Sequence, residues 1–84
     1  MKFLAVSQNL GDPSPHLAAE GARMAELVAD KTVEQVFLKT DYSGAVLIAS
    51  ATDAGALGTA LDTLPLVVNG LTSFTITEIV AAPN

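Results

Sequence analysis

A chain of 84 residues can hold one hydrophobic core, because a domain this small hides only about 60–65% of the surface that its unfolded form exposes. With Cys 0 and His 1, disulfides and a zinc site built from Cys and His are excluded, so we expect no metal. Nine acidic residues against four basic ones, a net charge of −5, argue against nucleic acid as a partner.

The first part of the chain predicts a strand followed by a helix. Residues Lys2 to Gln8 are rich in strand formers and are followed by turn residues from Asn9 to Pro13. Ser14 followed by Pro15 is typical of a helix N-cap with proline at the first helical position. Apolar and small residues then recur at helical spacing, which predicts a helix to about Lys31; they are Leu17, Gly21, Met24 and Val28.

The rest of the chain predicts a hairpin, a second helix and a final strand. Residues 33–41 and 45–51 read as strands joined by a tight turn with Asp41 first and Gly44 last. Asp53 begins a helix with apolar residues at helical spacing, and Pro65 ends it. After a turn at Asn69-Gly70, residues 71–81 alternate in the manner of a strand.

This order of elements predicts an α+β fold of ferredoxin-like βαββαβ topology. In that fold an antiparallel four-stranded sheet carries two helices on one face. We see no linker, repeat or low-complexity stretch, so residues 1–84 are expected to form one domain.

Both faces of the predicted sheet are apolar. Residues 45–51 are apolar toward both sides, and the second strand places Val36 and Leu38 on one face and Val33 and Phe37 on the other. Two helices cover one face, so we expect a second copy of the chain to cover the other, in a homodimer or a higher homo-oligomer.

Several of these residues together resemble a known family. The chain begins Met-Lys-Phe-Leu, carries Glu20 in the first predicted helix, continues with residues 33–38 after a short turn, and has Leu64-Pro65-Leu66 before the last strand. In these positions, and in the order and length of its elements, it resembles the muconolactone isomerase-like family of dimeric α+β barrel proteins.

The resemblance implies chemistry on a small molecule without a cofactor. The family's named enzyme moves a proton within an unsaturated lactone, and other proteins on this fold act as cofactor-free monooxygenases or as cyclases and isomerases. Glu20 matches an acidic helix position of the family. The tryptophans and basic residues of the family's second strand are replaced here by Val33 to Leu38, so the resemblance points to uncharacterised relatives more than to muconolactone isomerisation itself.

Three residues are candidates for catalysis. His16, Glu20 and Arg23 are spaced i, i+4 and i+7, which places them on one edge of the first predicted helix. Glu20 is the expected base, with His16 as proton partner and Arg23 as the stabiliser of an enolate. The alternative is a solvated row in which Glu20 pairs with Arg23 and does no chemistry.

Four further residues are candidates for substrate binding. Glu78 interrupts an apolar face of the last strand, where burial would suit a base, although near the strand end it can also simply reach water. Tyr42 offers a hydroxyl from the hairpin turn. Ser7 and Asn9 lie toward the end of the first strand, and bonds to the backbone explain such small polar residues equally well.

Three functions therefore compete. The first is an isomerase- or cyclase-like enzyme acting by proton transfer on a lactone, aromatic or polyketide-like molecule. The second is a cofactor-free monooxygenase, which an aromatic content of 5% and the absence of Trp disfavour. The third is a non-catalytic oligomeric or ligand-binding module. In it, Gly55 and Gly58 leave a surface of the second helix that a partner can approach closely.

The sequence also carries an expectation about location. Lys2 is followed by four apolar residues before Ser7, too few for a secretory signal. No apolar run approaches the roughly 18 residues of a membrane helix. We therefore expect a cytoplasmic protein without a membrane partner.

Overall fold

The computed structural model describes residues 1–83, which form one four-stranded antiparallel sheet and its helices. The sheet order is β2-β3-β1-β4, with every neighbouring pair antiparallel. This confirms the predicted ferredoxin-like α+β fold. In chain order the elements are β1 (Lys2–Asn9), a 3₁₀ turn (Ser14–His16), α1 (Leu17–Ala29), β2 (Val33–Leu38), β3 (Ala45–Ser50), α2 (Ala54–Leu61), α3 (Pro65–Val68) and β4 (Thr72–Ile79).

The hydrophobic core lies between the helices and one face of the sheet, called here the helix face. The register of the strands places Phe3 opposite Ala49 and Ala5 opposite Leu47 on this face. Each large apolar side chain buried there stabilises the fold by roughly 1.5–3 kcal/mol relative to its exposed form. The helices and the following loop contribute the buried residues Leu27, Leu57, Leu61 and Leu64.

The opposite face of the sheet carries no helix in residues 1–83. Leu4 pairs with Ile48 and Val6 with Val46 on this side, and Phe37 lies beside Val46 with 52% of its surface exposed. We call these five residues the open face. The paired side chains are only partly covered by their neighbours, so the apolar character predicted for both faces is real.

The predicted face of Val33, on the same side of the sheet as Phe37, was wrong because β2 contains a bulge. The pairing with β3 shifts between Val33 and Gln35, so Glu34 is an extra residue at the start of the strand. An extra residue in a strand turns the side chains before it to the opposite face of the sheet. Val33 therefore packs in the core, on the same side as Val36 and Leu38, while Phe37 points to the open face as expected.

The start of α1 also differs from the prediction, whereas the start of α2 does not. Ser14 does not cap α1; its N–H and hydroxyl both donate to Asp12 Oδ1, which lowers the pKa of that carboxyl. A 3₁₀ turn then leads into the helix at Leu17. Asp53 caps α2 as predicted, through its Oδ1 and the N–H of Ala56 at 2.7 Å.

Pro65 begins a helix where the sequence predicted the end of one. α2 ends at Leu61, and Pro65 occupies the first turn of the short α3. Proline suits that place, because its fixed φ fits a helix start and its missing N–H has no partner there anyway. None of the helices within residues 1–83 has both the length and the apolar character that crossing a lipid bilayer requires.

Candidate functional site

A cavity of about 590 Å³ lies between α1 and the helix face of the sheet. Its walls come from the ends of β1 and β2 and the starts of β3 and β4, so it occupies one end of the sheet. The wall is largely apolar, with contributions from Leu17, Met24, Val36, Leu38, Leu66 and Phe74. The polar residues that line it are Ser7, Asn9, Glu20, Tyr42 and Thr72.

Glu20 reaches the cavity from α1 and is held by the backbone of α3. Its Oε1 accepts a hydrogen bond from the N–H of Leu66 at 3.0 Å. That N–H lies in the first turn of α3, where backbone donors have no partner within their own helix. In residues 1–83 the side-chain hydrogen bonds of Glu20 involve Oε1 alone, so Oε2 is free to meet a ligand.

Ser7 is buried, with 4% of its surface exposed, and its hydroxyl is tied to the neighbouring strand. The N–H of Ala45 donates to Ser7 Oγ at 2.8 Å. Gly44 is required beside it, because a Cβ at Gly44 would overlap the carbonyl oxygen of Ser7. Ser7 therefore lines the cavity but already has a structural role, which is the alternative that the sequence left open.

Asn9 and Tyr42 meet at the hairpin turn beside the cavity. Asn9 Nδ2 donates to the carbonyl oxygen of Tyr42 at 3.3 Å, and the backbone N–H of Asn9 donates to the carbonyl oxygen of Ser43 at 2.7 Å. Tyr42 adopts φ 59°, a left-handed conformation that is rare for a bulky residue. With 75% of its surface exposed, Tyr42 stands at the entrance of the cavity.

Asp41 stabilises the same turn rather than the cavity. Its Oδ1 accepts a hydrogen bond from the N–H of Ser43 at 3.0 Å. Hydrogen bonding by Ser43 to the carboxylate lowers the pKa of Asp41. The turn is therefore fixed on both sides of Tyr42, by Asp41 within the loop and by Asn9 from β1.

His16 and Arg23 do not join Glu20 at the cavity. Arg23 Nε donates to Thr63 Oγ1 at 2.8 Å, and its Nη1 lies 3.5 Å from Glu26 Oε1. His16 belongs to the 3₁₀ turn before α1 and is not among the lining residues. The structure thus brings one of the three predicted catalytic residues to the wall and leaves the other two outside it.

Glu78 lies at the other end of the sheet. It pairs with Phe3 in the register of β1 and β4, whereas the residues of β1 that line the cavity are Ser7 and Asn9. Glu78 is exposed and borders a separate surface depression with Lys2 and Ile79. It shares a strand face with Phe74, as expected, but reaches water.

Gly21 and Leu66 are wall residues for which the sequence predicted no functional role. Gly21 appeared only as part of an apolar helix stripe, and it lies at the cavity with nothing within 4 Å of where a Cβ would be. Leu66 appeared only as part of the Leu-Pro-Leu motif, and its N–H holds the carboxylate of Glu20. Within residues 1–83, no group of three or more His, Cys, Asp and Glu side chains is placed to hold a metal ion.

Comparisons with known proteins support the fold. No protein-family model matches the sequence, and no curated protein matches it significantly. Among solved structures, the chain is similar to TftG, a 5-chloro-2-hydroxyhydroquinone dehydrochlorinase from Burkholderia phenoliruptrix AC1100 in complex with 2,5-dihydroxybenzoquinone. The TM-score is 0.81 at 18% identity, over 98% of this chain and 96% of that chain. The chain therefore shares the α+β fold of that structure, with its four-stranded antiparallel sheet.

Proposed function

We propose that this protein is a small cofactor-independent isomerase- or cyclase-like enzyme that resembles the muconolactone isomerase-like family. Its substrate in this proposal is a lactone, aromatic or polyketide-like molecule held in the cavity. The observation that carries the proposal is the carboxylate of Glu20 in a largely apolar cavity of about 590 Å³, a volume within the range of small-molecule sites.

Glu20 acts as the base in this proposal. Its Oε2 removes a proton from a carbon next to a carbonyl, and the electrons of that C–H bond move into the carbonyl to give an enolate. In an unsaturated substrate a C=C conjugated with the enolate shifts as the proton returns to its far carbon, which completes an isomerisation with no net gain or loss of atoms. The hydrogen bond from Leu66 fixes the carboxylate through Oε1, so that Oε2 meets the substrate in one orientation.

The residues that assist Glu20 in this proposal are not the His16 and Arg23 expected from the sequence. Arg23 is engaged by Thr63 and Glu26, and His16 lies outside the wall, so neither is assigned contact with substrate. Tyr42 and Asn9 line the cavity and supply the donors that would stabilise a developing enolate oxygen. Ser7 contributes shape and a polar atom deeper in the cavity, and Glu78 has no part.

The solved neighbour adds a class of compounds to the test of this proposal. TftG is described as a dehydrochlorinase of a chlorinated hydroxyhydroquinone, and its complex contains 2,5-dihydroxybenzoquinone. At 18% identity this likeness carries the fold and not the reaction. It makes hydroxylated ring compounds a sensible addition to a panel of lactones and polyketide-like ketones.

Proton exchange with solvent tests the proposal whatever the final product of the reaction. Each compound of the panel is incubated with protein in D₂O, and ¹H NMR follows loss of the signal at carbons next to carbonyls. We expect exchange with at least one class of compound, and a loss of about 10²–10⁴-fold in Glu20→Gln. Glu26→Gln is the matched control, because Glu26 lies on α1 and pairs with Arg23 at the surface. Full exchange activity in Glu20→Gln would remove Glu20 as the base.

A non-catalytic ligand-binding module remains the second candidate. It is favoured by the hydrogen bond between Glu20 and Leu66, which gives the carboxylate a structural purpose without any reaction. This function predicts binding in the cavity with no proton exchange for any compound of the panel.

We also propose that the protein is a homodimer whose two open faces pack together. Leu4, Val6, Val46, Ile48 and Phe37 form a contiguous apolar area across three strands. A stable interface of this kind buries about 1,200–2,000 Å² in total. A second copy supplies such a surface by symmetry, because the same apolar area lies on both partners.

A further inference from the structure

The charges of this chain are distributed unevenly around the cavity. The chain has four Lys and Arg residues and one His, and none of them lines the cavity within residues 1–83. The carboxylate of Glu20 is the charged group of the described wall. A ligand inside therefore meets a negative group and no side-chain cation.

Three of the four cations have side-chain partners that do not line the cavity. Lys2 Nζ lies 3.3 Å from Glu34 Oε2, at the end of the sheet opposite the cavity. Arg23 is held by Thr63 and Glu26. Lys39 Nζ donates to Gln8 Oε1 at 3.3 Å.

The fourth cation lies away from the cavity. Lys31 is in the turn between α1 and β2, close to Val33 in the chain. The cavity instead adjoins the other end of β2, at Val36 and Leu38.

From this distribution we propose that the cavity binds neutral hydroxylated ring compounds and excludes carboxylic acids. The inference rests on the proposed small-molecule function and narrows its substrate class. A ligand carboxylate would leave water for an apolar wall with no cation to pair with it, and Glu20 would repel it. A neutral hydroxyl avoids both costs, because it can donate to Glu20 Oε2 and accept from Tyr42.

The shape and lining of the cavity fit the same class. Met24, Leu66 and Phe74 provide apolar surface for a ring, while Glu20, Asn9 and Tyr42 provide the polar contacts. Wall groups of this kind fix the orientation of a small ligand by a few hydrogen bonds and its affinity by apolar contact.

Three probes of similar shape test whether the cavity excludes a carboxylate. They are 4-hydroxybenzyl alcohol, which is neutral, 4-hydroxybenzoate, which is an anion at neutral pH, and 4-hydroxybenzylamine, which is a cation there. Each is titrated into ¹⁵N-labelled protein, and the shifts of the backbone amides of Ser7, Gly21 and Leu66 report binding in the cavity. We expect the alcohol and the amine to bind about tenfold or more tightly than the carboxylate, since like charges repel in a partly desolvated site.

Glu20→Gln separates charge from shape. The glutamine keeps an oxygen that can accept from the N–H of Leu66, but it carries no charge. We expect the variant to bind the carboxylate more tightly than the wild type does, so that the ratio between alcohol and carboxylate shrinks.

Two results would overturn the inference. One is equal or tighter binding of the carboxylate by the wild type. The other is the absence of cavity shifts with all three probes at millimolar concentration, since the cavity would then not accept this class. Neither result depends on turnover, so a failure of carboxylate exclusion can be distinguished from a failure of the proposed reaction.

Discussion

Glu20 and Leu66 are 46 residues apart in the sequence, yet the Glu20 carboxylate and the Leu66 N–H are joined by a hydrogen bond of 3.0 Å. The bond connects the start of α1 to the first turn of α3 across the cavity. It satisfies a backbone donor that α3 cannot satisfy itself, and it holds the one acidic side chain of the described cavity wall.

Loss of this acceptor should destabilise the protein. We expect Glu20→Ala to lower the free energy of unfolding by about 1–2 kcal/mol, because the partly buried Leu66 N–H loses its partner. Glu20→Gln should lose less, since its amide oxygen can accept the same bond. Urea denaturation of the two variants beside wild type measures the difference.

Glu26→Ala is the control for the general effect of removing an acidic residue from α1. Its carboxylate pairs with Arg23 at the surface, so we expect a change within about 0.5 kcal/mol. If Glu20→Ala and Glu26→Ala are equally stable, the bond to Leu66 contributes nothing measurable.

The order of the elements could be predicted from the sequence because hydrophobic period and turn residues are local signals. The face of Val33 could not, because the bulge at Glu34 has no clear local signature and reverses the pattern of the strand. The sequence predicts a helix end at Pro65 because proline ends helices, but proline also begins them, and here it begins the short α3.

The site was predictable only in part for a similar reason. Helical spacing predicted that His16, Glu20 and Arg23 share one edge of the first helix, but it left open whether that edge faces a pocket or solvent. The family resemblance drew attention to Leu64-Pro65-Leu66. The bond between Glu20 and Leu66 is tertiary, as is the bond that draws Arg23 to Thr63. Spacing along one helix carries no information about which loop each side chain will meet.

Gly21 should control the size of the cavity. A glycine inside a helix costs about 0.5–1 kcal/mol relative to alanine, and no neighbour within 4 Å of a Cβ requires it here. We expect Gly21→Ala to stabilise the protein and Gly21→Leu to weaken binding of 4-hydroxybenzyl alcohol several-fold, because the longer side chain fills the cavity. Thermal denaturation and NMR titration measure the two effects.

Gly58 provides the matched control for Gly21. It lies inside α2, also has nothing within 4 Å of where its Cβ would be, and does not line the cavity. Gly58→Ala should therefore stabilise the fold similarly and leave probe binding unchanged. Unaltered binding in Gly21→Leu would show that ligands do not approach α1 at this point.

Phe37 should contribute to a dimer formed by the open face, because it is the exposed apolar residue that β2 presents there. Replacement of Phe37 by Glu places a charge within the proposed interface, where it would have no partner. We expect wild type to sediment as a dimer at micromolar concentration and Phe37→Glu to shift toward the monomer. Analytical ultracentrifugation over a concentration series makes the measurement.

Val68→Glu controls for the added charge. Val68 is 68% exposed on α3, on the helix side of the sheet, so the substitution leaves the open face intact. This variant should sediment like wild type. A wild-type protein that is monomeric throughout the series would contradict the proposed dimer.

Replacement of Tyr42 by glycine should raise the stability of the protein and weaken ligand binding. At φ 59° a tyrosine is strained and a glycine is not, so we expect Tyr42→Gly to raise the free energy of unfolding by about 1 kcal/mol. The same change removes the ring and hydroxyl from the cavity entrance, and we expect weaker binding of 4-hydroxybenzyl alcohol. Tyr42→Phe keeps the ring and isolates the contribution of the hydroxyl.

Lys31 is the internal control that separates these two effects. It also adopts a left-handed conformation, with φ 71°, but it lies in the turn between α1 and β2, away from the cavity. Relief of strain alone predicts that Lys31→Gly gains stability and binds the probe like wild type. A cavity role for Tyr42 predicts that only Tyr42→Gly loses affinity. If both variants gain stability and neither loses affinity, the left-handed tyrosine serves the turn and not the ligand.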